Sequence, residues 1–433
     1  MSARKFKAAS EASLEEAQPQ IWWSNAVFFT SVHVAAAAGM YYLPPWAAQK
    51  KTLLLWFLTW QMSDFGITIG YHRLYSHKAF RAAIGVRVVL AILGSAAFQG
   101  SIKRFTDDPV HDPYAATRGL LYSHMGWIFY KPNYTRMGLI EKDDLENDPV
   151  VRYQHKYYGL SSNHLEQCLL TFTTMAIPVP LALYFGFICP VLVGSLWNDR
   201  MGAFVWGGLV ARLFIWHCTF LVNSLVLSVY FFVHVVDKWC SLAHWDGLQP
   251  YSDEDTSRGN LVLALLTGGE GNHNFHSFPH DFRSGPSLVD WDPSKWIILI
   301  LQQLGLVMSL RRARKEDLVE ALHHMKRKES SDAIEPEDNS WDGETWNILQ
   351  VVEFAKAKTG RCIVLIDGFA VDVTSYLGEH PGGSKILREH SVRLASDMDV
   401  WRKADWAFMG GLNNHSRAAR RQMQEFRVAK LVD

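Results

Sequence analysis

Long apolar blocks separated by polar stretches dominate the chain before residue 310. Crossing the hydrocarbon core of a bilayer takes about 20 helical residues. Four blocks come close to or exceed that length: 26–44, 52–71, 168–187 and 203–236. Because the first two are joined by a short connection, they predict a hairpin of spans. The pattern therefore predicts four crossings, with both termini and the long polar segments on one face of the membrane.

Two shorter apolar blocks predict helices that lie at the membrane surface. Block 83–98 contains Arg87, which predicts a surface or shallow helix, and block 296–310 contains two glutamines, which favour an interfacial helix. Lys and Arg are frequent in the polar segments between the spans. Cytosolic loops are enriched in these residues, so the polar face should be cytosolic.

Composition narrows the functional classes further. The chain has 433 residues and is formally neutral, with 43 basic and 43 acidic side chains, and no basic stripe with interleaved aromatics favours nucleic acid as a partner. Seventeen Trp and 24 Phe residues suit the aromatic belts of a membrane protein. The five cysteines are scattered without C-x-x-C spacing, which argues against a disulfide framework or a zinc-thiolate site.

The character of the chain changes after residue 310. A charged helix is predicted for RRARKEDLVEALHHMKRKE, followed by the acidic, turn-rich segment SSDAIEPEDNS. The sequence then becomes typical of a soluble domain. The predicted organisation is a polar tail at 1–20, a membrane domain at 21–325, a linker at 326–340 and a C-terminal domain at 341–433.

The C-terminal domain contains a motif that suits a flat cofactor. An apolar run leads into His380-Pro381-Gly382-Gly383, and His415 follows in NNHSRAA. The glycines permit a tight turn and the proline fixes it. An ordinary surface turn with a solvated histidine is the alternative. The segment resembles cytochrome b5, which implies that His380 and His415 are the two axial ligands of haem b, although the stretch around 393–403 is longer than in that family.

Two histidine pairs occur in the membrane domain. His72 and His77 lie in YHRLYSH at the end of the second span. Five residues of regular helix turn the chain through about 140° net, so these imidazoles should serve two metals, or one metal if the helix ends between them. A structural interfacial pair is the alternative. His273 and His276 share a helical face, which suits iron, unless they belong to a polar loop.

Three segments together, YHRLYSH, RGLLYSHMGW and GEGNHNFH, are similar to those of membrane acyl-CoA Δ9 desaturases, and the C-terminal domain is placed as in the fungal members. The resemblance implies a mostly α fold: a four-crossing membrane helical desaturase body plus a small α+β cytochrome b5-like haem domain. It also implies two iron ions held by histidines. The matching positions in this chain are His72, His77, His244, His273 and His276.

The chain departs from the family pattern at three places. About ten residues that would carry three histidine ligands in the second histidine box are absent after position 102. Ser277 stands where the family has a further histidine. Seventeen residues, 225–241, separate Asn223-Ser224 from the LAHW segment that should follow at once. Mis-joined exons and a decayed paralogue both explain these block-like gaps.

The resemblance implies O2-dependent desaturation of saturated acyl-CoA at Δ9, which the missing box would impair. Electrons would come from NADH through cytochrome b5 reductase and the fused haem. The implied location is the endoplasmic reticulum membrane, with the haem domain in the cytosol. Arg118 and Lys131 are candidates to meet the CoA phosphates, or are solvated or lipid-facing charges. Two alternatives remain. The first is a non-catalytic membrane-anchored electron carrier or a regulatory paralogue. The second is another lipid enzyme such as a hydroxylase, but the YSHMGW segment favours a desaturase over it.

Overall fold

The computed structural model describes most of the chain in two regions, which we call the body (residues 20–330) and the module (residues 341–432). The described residues are 20–104, 122, 124–131, 143–158, 180–221, 250–252, 259, 261–272, 274–275, 278, 280–287, 290–330, 341–380, 383–392, 398–409 and 415–432. Most of them are helical, which confirms the prediction of a mostly α chain.

Helices build the body. They are α1 Trp23–Tyr42, α2 Lys50–Phe65, α3 Ile84–Ala96, α4 Asp143–Asn147, α5 Pro149–Tyr157, α6 Leu181–Trp197, α7 Arg200–Leu221, α8 Leu261–Leu266, α9 Pro293–Gln303 and α10 Lys315–Glu329. A π-helical segment, Gly66–Ser76, continues α2 without a break. Two short strands, β1 Arg81–Ala82 and β2 Val307–Met308, pair antiparallel.

The first two predicted spans correspond to continuous helices. Helix α1 covers most of 26–44, and α2 with its π-helical continuation covers 52–71. Among the described residues, α7 alone is both long and apolar enough to cross a membrane by length and composition. Residues 168–179 and 222–236 of the other two predicted spans lie outside the described residues, so four crossings remain a prediction.

Close backbone approach holds α2, its continuation and α3 together. A Cβ added at Gly66 would lie 2.3 Å from the backbone nitrogen of Gly94, and one added at Gly94 would lie 2.2 Å from the ring of Tyr71. Glycine is therefore required at both positions for this packing. The fully buried Arg212 of α7 also links these helices through hydrogen bonds. Its Nη1 donates to the carbonyl oxygen of Ala96 and to that of Gly186, the latter over 3.1 Å.

The two predicted surface helices are both present, and one is shorter than expected. Arg87, the charge within the apolar α3, forms an ion pair with Asp148 at the start of α5. The prediction of a helix over 296–310 is wrong after Gln303, because the chain turns at Gly305 (φ 70°) and then enters strand β2. Pairing of Ala82 with Val307 takes the place of further helix.

The module has its own sheet and its own apolar cores. Its strands are β3 Thr345–Trp346, β4 Ile363–Ile366, β5 Phe369–Asp372 and β6 Arg427–Leu431, in the order β3-β6-β5-β4. Its helices are α11 Ile348–Lys356, α12 Ser384–Glu389, α13 Met398–Phe408 and α14 Arg417–Glu425. All four side chains of β4 are buried, because one apolar cluster covers each face of the sheet. Asp367 and Gly368, both at positive φ, close the β4–β5 hairpin.

The predicted domain boundaries stay predictions. Helix α10 continues to Glu329, past residue 325, where the membrane domain was expected to end. Residues 331–340, which contain most of the predicted linker, lie outside the described residues.

Candidate functional site

The first histidine pair lies at the end of the π-helical segment that continues α2. The backbone N–H of His77 donates to the carbonyl oxygen of His72 over 2.9 Å, a hydrogen bond between residues five apart. This pattern defines a π-helix and stacks residues i and i+5. The two imidazoles consequently lie with ring centroids 4.4 Å apart at 88°. The expected separation of about 140° is therefore wrong, since it assumed a regular α-helix.

Three charged side chains form a chain of contacts that begins at His72 of this pair. Glu270, in the turn after α8, places a carboxylate oxygen 3.6 Å from His72 Nε2. Arg73 donates from Nε to Glu270 and from Nη1 to Asp292, both over 3.0 Å. Burial alone would lower the pKa of Arg73, but Asp292 and Glu270 together raise it above its usual value. The guanidinium therefore stays charged and holds Glu270 beside His72.

The loop that carries the third histidine motif is anchored at a residue between its two predicted ligands and at a second residue after them. The buried Asn274 side chain accepts from the backbone N–H groups of Tyr251 and Ser252 and donates to the Ser252 carbonyl over 2.7 Å. Farther along, His280 Nδ1 donates to the carbonyl oxygen of His77 over 2.9 Å. Burial lowers the pKa of His280, which keeps this imidazole neutral at pH 7.

The described residues do not by themselves complete an iron site. Of the five predicted iron ligands, His72 and His77 are described, whereas His244, His273 and His276 lie outside the described residues, as does Arg118. Within the described part of the chain, no three His, Cys, Asp or Glu side chains are grouped so that they could hold a metal ion. A small open cavity does border the pair; its lining includes His72, His77, Glu270, Asn272, Phe275 and Arg283.

The second pair, in the module, fits a haem closely. The rings of His380 and His415 face each other with centroids 6.3 Å apart and planes 26° apart. Two imidazoles on opposite sides of one iron, each bonded over about 2 Å, would have centroids about 6 Å apart. Each Nδ1 donates over 3.0 Å to a backbone carbonyl, His380 to Gly383 and His415 to Phe408. Both Nε2 atoms therefore carry the lone pair, as an axial ligand requires.

A chain of three imidazoles in the body was not predicted. His33 of α1 and His217 of α7 approach through their Nε2 atoms at 3.1 Å, and His217 Nδ1 lies 2.9 Å from Nε2 of His124. His33 Nδ1 also donates to the Phe29 carbonyl over 2.7 Å. Of these three histidines, His124 alone lies in a motif, YSHMGW, whereas His33 and His217 are single histidines in apolar helices. These hydrogen bonds join α1, α7 and the segment that ends at the exposed Lys131.

Glu270 and Arg73 were also missed as parts of the site. Glu270 lies in the GEGNHNFH motif, three positions before His273, so its nearness to the ligand set could have been inferred from spacing. Nothing in the sequence pairs Arg73 with Asp292, because 219 positions separate them.

Comparison with known proteins gives a consistent set of relatives, although no family model matches the chain. A probable acyl-CoA desaturase of Schizosaccharomyces pombe is 32% identical over 428 residues, covering 94% of this chain and 77% of the relative. Acyl-CoA desaturase 1 of Saccharomyces cerevisiae is 33% identical over 387 residues, covering 85% and 65% respectively. Stearoyl-CoA desaturase 5 of Bos taurus is 31% identical over 317 residues, covering 70% and 82%.

Proposed function

This chain belongs to the acyl-CoA desaturase family, and on that premise we propose that it desaturates saturated acyl-CoA at Δ9 with electrons delivered by its own haem module. As a member of this family it is an oxidoreductase that acts on fatty acyl chains. The overall reaction removes two hydrogens from adjacent methylenes, while O2 takes these hydrogens and two further electrons and two protons to form two waters. Stearoyl-CoA and palmitoyl-CoA are the expected substrates.

The paired imidazoles of His380 and His415 carry the proposal of electron delivery. Their 6.3 Å centroid separation and their backbone-bonded Nδ1 atoms suit two axial ligands of haem b. A haem held on both sides supplies one-electron transfer and has no open position for O2. NADH–cytochrome b5 reductase is the proposed electron donor. Fusion keeps the carrier at an effective concentration in roughly the millimolar range near the body.

We infer that the body both attaches the protein to the membrane and binds the substrate. Helix α7 and the two helices of the predicted first hairpin present apolar side chains to the outside, including Val34, Leu54 and Phe204. We place the protein in the endoplasmic reticulum membrane with four crossings and a cytosolic module. Each methylene of an acyl chain buried in the body contributes about 0.8 kcal/mol to binding. The exposed Lys131 is a candidate to meet the CoA phosphates, together with Arg118.

The proposed activity is impaired because ligand positions are missing. The chain matches five of about nine expected histidine ligands, and the run that would supply three more is absent after Ile102. The remaining polar partners of the first pair, Glu270 and Arg73, are in place. We therefore expect a folded, haem-binding protein with a low content of non-haem iron and little desaturation.

Product analysis on purified full-length protein tests the proposal. Protein in detergent or nanodiscs is incubated with stearoyl-CoA, NADH, reductase and O2, and the fatty acids are analysed by mass spectrometry. A small yield of oleate that depends on NADH and reductase supports the proposal. A double bond at another position, or a hydroxylated product, would overturn the assignment.

The absent histidine run favours a second candidate function, a membrane-anchored haem carrier without catalytic activity. Such a carrier would show a Soret band with one haem per chain, negligible non-haem iron, and no oleate at any iron concentration. Reduction of a separate, intact desaturase by this protein would then be its activity. Measuring oleate formation by such a mixture, with and without this chain, separates the carrier from the impaired enzyme.

A further inference from the structure

An ionic cluster joins the module to helix α10 of the body. Arg314 of the body lies 2.6 Å from a carboxylate oxygen of Glu425 in α14. From the module side, Arg421 reaches Glu320 over 3.2 Å and Asp317 over 3.7 Å. Asp317 in turn pairs with Arg314 over 2.8 Å, so that the two arginines share one acidic side chain. We call these five residues the latch.

The latch lies next to a predicted haem ligand on the module side. Helix α14, which carries Arg421 and Glu425, begins at Arg417, two positions after His415.

On the body side, the latch lies next to the chain that follows the first histidine pair. The backbone N–H of Arg311, three positions before Arg314, donates to the carbonyl oxygen of Ala79 over 2.8 Å. Ala79 in turn follows His77 by two positions. The latch therefore connects the chain beside an axial-ligand position of the module to the chain beside the first histidine pair.

We propose that the latch holds the module against the body, in a docked state that favours electron transfer into the body and shields the haem from the external reductase. This proposal rests on the proposed function for the presence of haem, but not for the docking itself. The module must undock to be reduced. In that step one electron passes from the reduced flavin of the reductase to ferric haem, and no bond forms or breaks.

The latch should respond to salt and to charge reversal. The ion pairs of the latch are partly exposed. A single exposed ion pair contributes little, and salt screens exposed charges with a Debye length of about 10 Å at 0.1 M. Reversing one charge replaces attraction by repulsion, which should shift the docking equilibrium by roughly fivefold to tenfold. Haem reduction by NADH and reductase should therefore become faster in Glu425→Arg by up to that factor, and the difference should vanish at high salt.

A charge swap and a matched control sharpen this experiment. Adding Arg314→Glu to Glu425→Arg restores opposite charges between these two positions. Because the new carboxylate also lies beside Asp317, the slow reduction should return in part. Glu353→Arg makes the same charge change on an exposed position of α11 that lies outside the latch, and its haem should be reduced as fast as that of the unmodified protein. If the haem is reduced at the same rate in Glu425→Arg, in Glu353→Arg and in the unmodified protein at low salt, the shielding is refuted.

Cross-linking tests the docking without haem or iron. Arg421→Lys keeps the charge and supplies an amine that a carbodiimide can join directly to Glu320 or Asp317, and peptide mass spectrometry identifies the link. The link should form at low salt and be lost when Glu425→Arg is added. Absence of the link at low salt overturns the docked state. A link in a protein that binds no haem would leave the docking standing and refute the proposed electron delivery instead.

Discussion

Arg73 offers the sharpest test of how the body supports its histidine pair. Its side chain is 3% exposed and lies 3.0 Å from both the fully buried Asp292 and Glu270. Removing one partner of a buried ion pair typically costs about 3–5 kcal/mol, because the other partner is left charged and unpaired. Arg73→Met removes the guanidinium from both carboxylates, although Asp292 keeps its hydrogen bonds from the backbone of Ser284 and Lys295 and Glu270 keeps its contact with His72. We therefore expect a loss within that range.

The assay is thermal unfolding of the full-length protein in detergent, followed by tryptophan fluorescence. A loss of 3–5 kcal/mol should lower the midpoint by at least about 6 °C, since 1 kcal/mol shifts large domains by about 2–4 °C. Arg152→Met removes an exposed arginine from α5 and should change the midpoint little. Adding Glu270→Gln to Arg73→Met should recover part of the loss, because it neutralises one of the two carboxylates that lose the guanidinium. Equal midpoints for Arg73→Met and Arg152→Met would refute the interpretation of Arg73 as the charge that stabilises the site.

Three further predictions concern the module and the metal content. His380→Ala should abolish the Soret band of the purified protein. His390→Ala, which removes an imidazole that hydrogen-bonds to the Ile386 carbonyl of its own helix turn, should leave the band unchanged. An unaltered spectrum in His380→Ala would falsify the axial assignment. In haem-free full-length protein, burial lowers the pKa of His380 to about 4, compared with about 6.5 in the unfolded chain. Between pH 4 and pH 6.5 the unfolded state therefore binds more protons than the folded state. The free energy of unfolding of the module should therefore be constant above pH 7 and fall by up to about 3 kcal/mol as the pH is lowered from 6.5 to 4. Hydrogen exchange of the β4 and β5 amides measures this free energy. If the same pH dependence persists in His380→Ala, the effect belongs to another group. Metal analysis should find fewer than two non-haem irons per chain, and a fully loaded dinuclear centre would contradict the count of matched ligands.

The sequence predicted well what depends on local pattern. Uninterrupted apolar runs predicted helices close to α1 and α2, which need only short-range information because a helix is specified by neighbouring residues. The pairing of His380 with His415, 35 positions apart, came from the resemblance to cytochrome b5. The structure places their ring centroids 6.3 Å apart, and their role as haem ligands stays a prediction.

What the sequence did not predict depends on backbone detail or on distant partners. A single π-helical segment changed the relation of His72 to His77, and no residue pattern distinguishes that segment from a regular helix. Glu270 and Asp292 reach Arg73 only because the chain folds back over some two hundred positions. The latch between α10 and α14 is likewise invisible in the sequence, where both helices simply carry many charges.

Restoring the missing ligands is the most direct test of the claim that this chain is a desaturase with an incomplete metal site. The repaired variant inserts a histidine-box run of the HRxHH type after Ile102, deletes 225–241 and carries Ser277→His. Both proteins are expressed in a desaturase-deficient yeast without unsaturated fatty acid, and growth and oleate are measured. We predict growth with the repaired variant and none with the chain as it stands. Equal growth of both strains, with equal oleate, would contradict the claim.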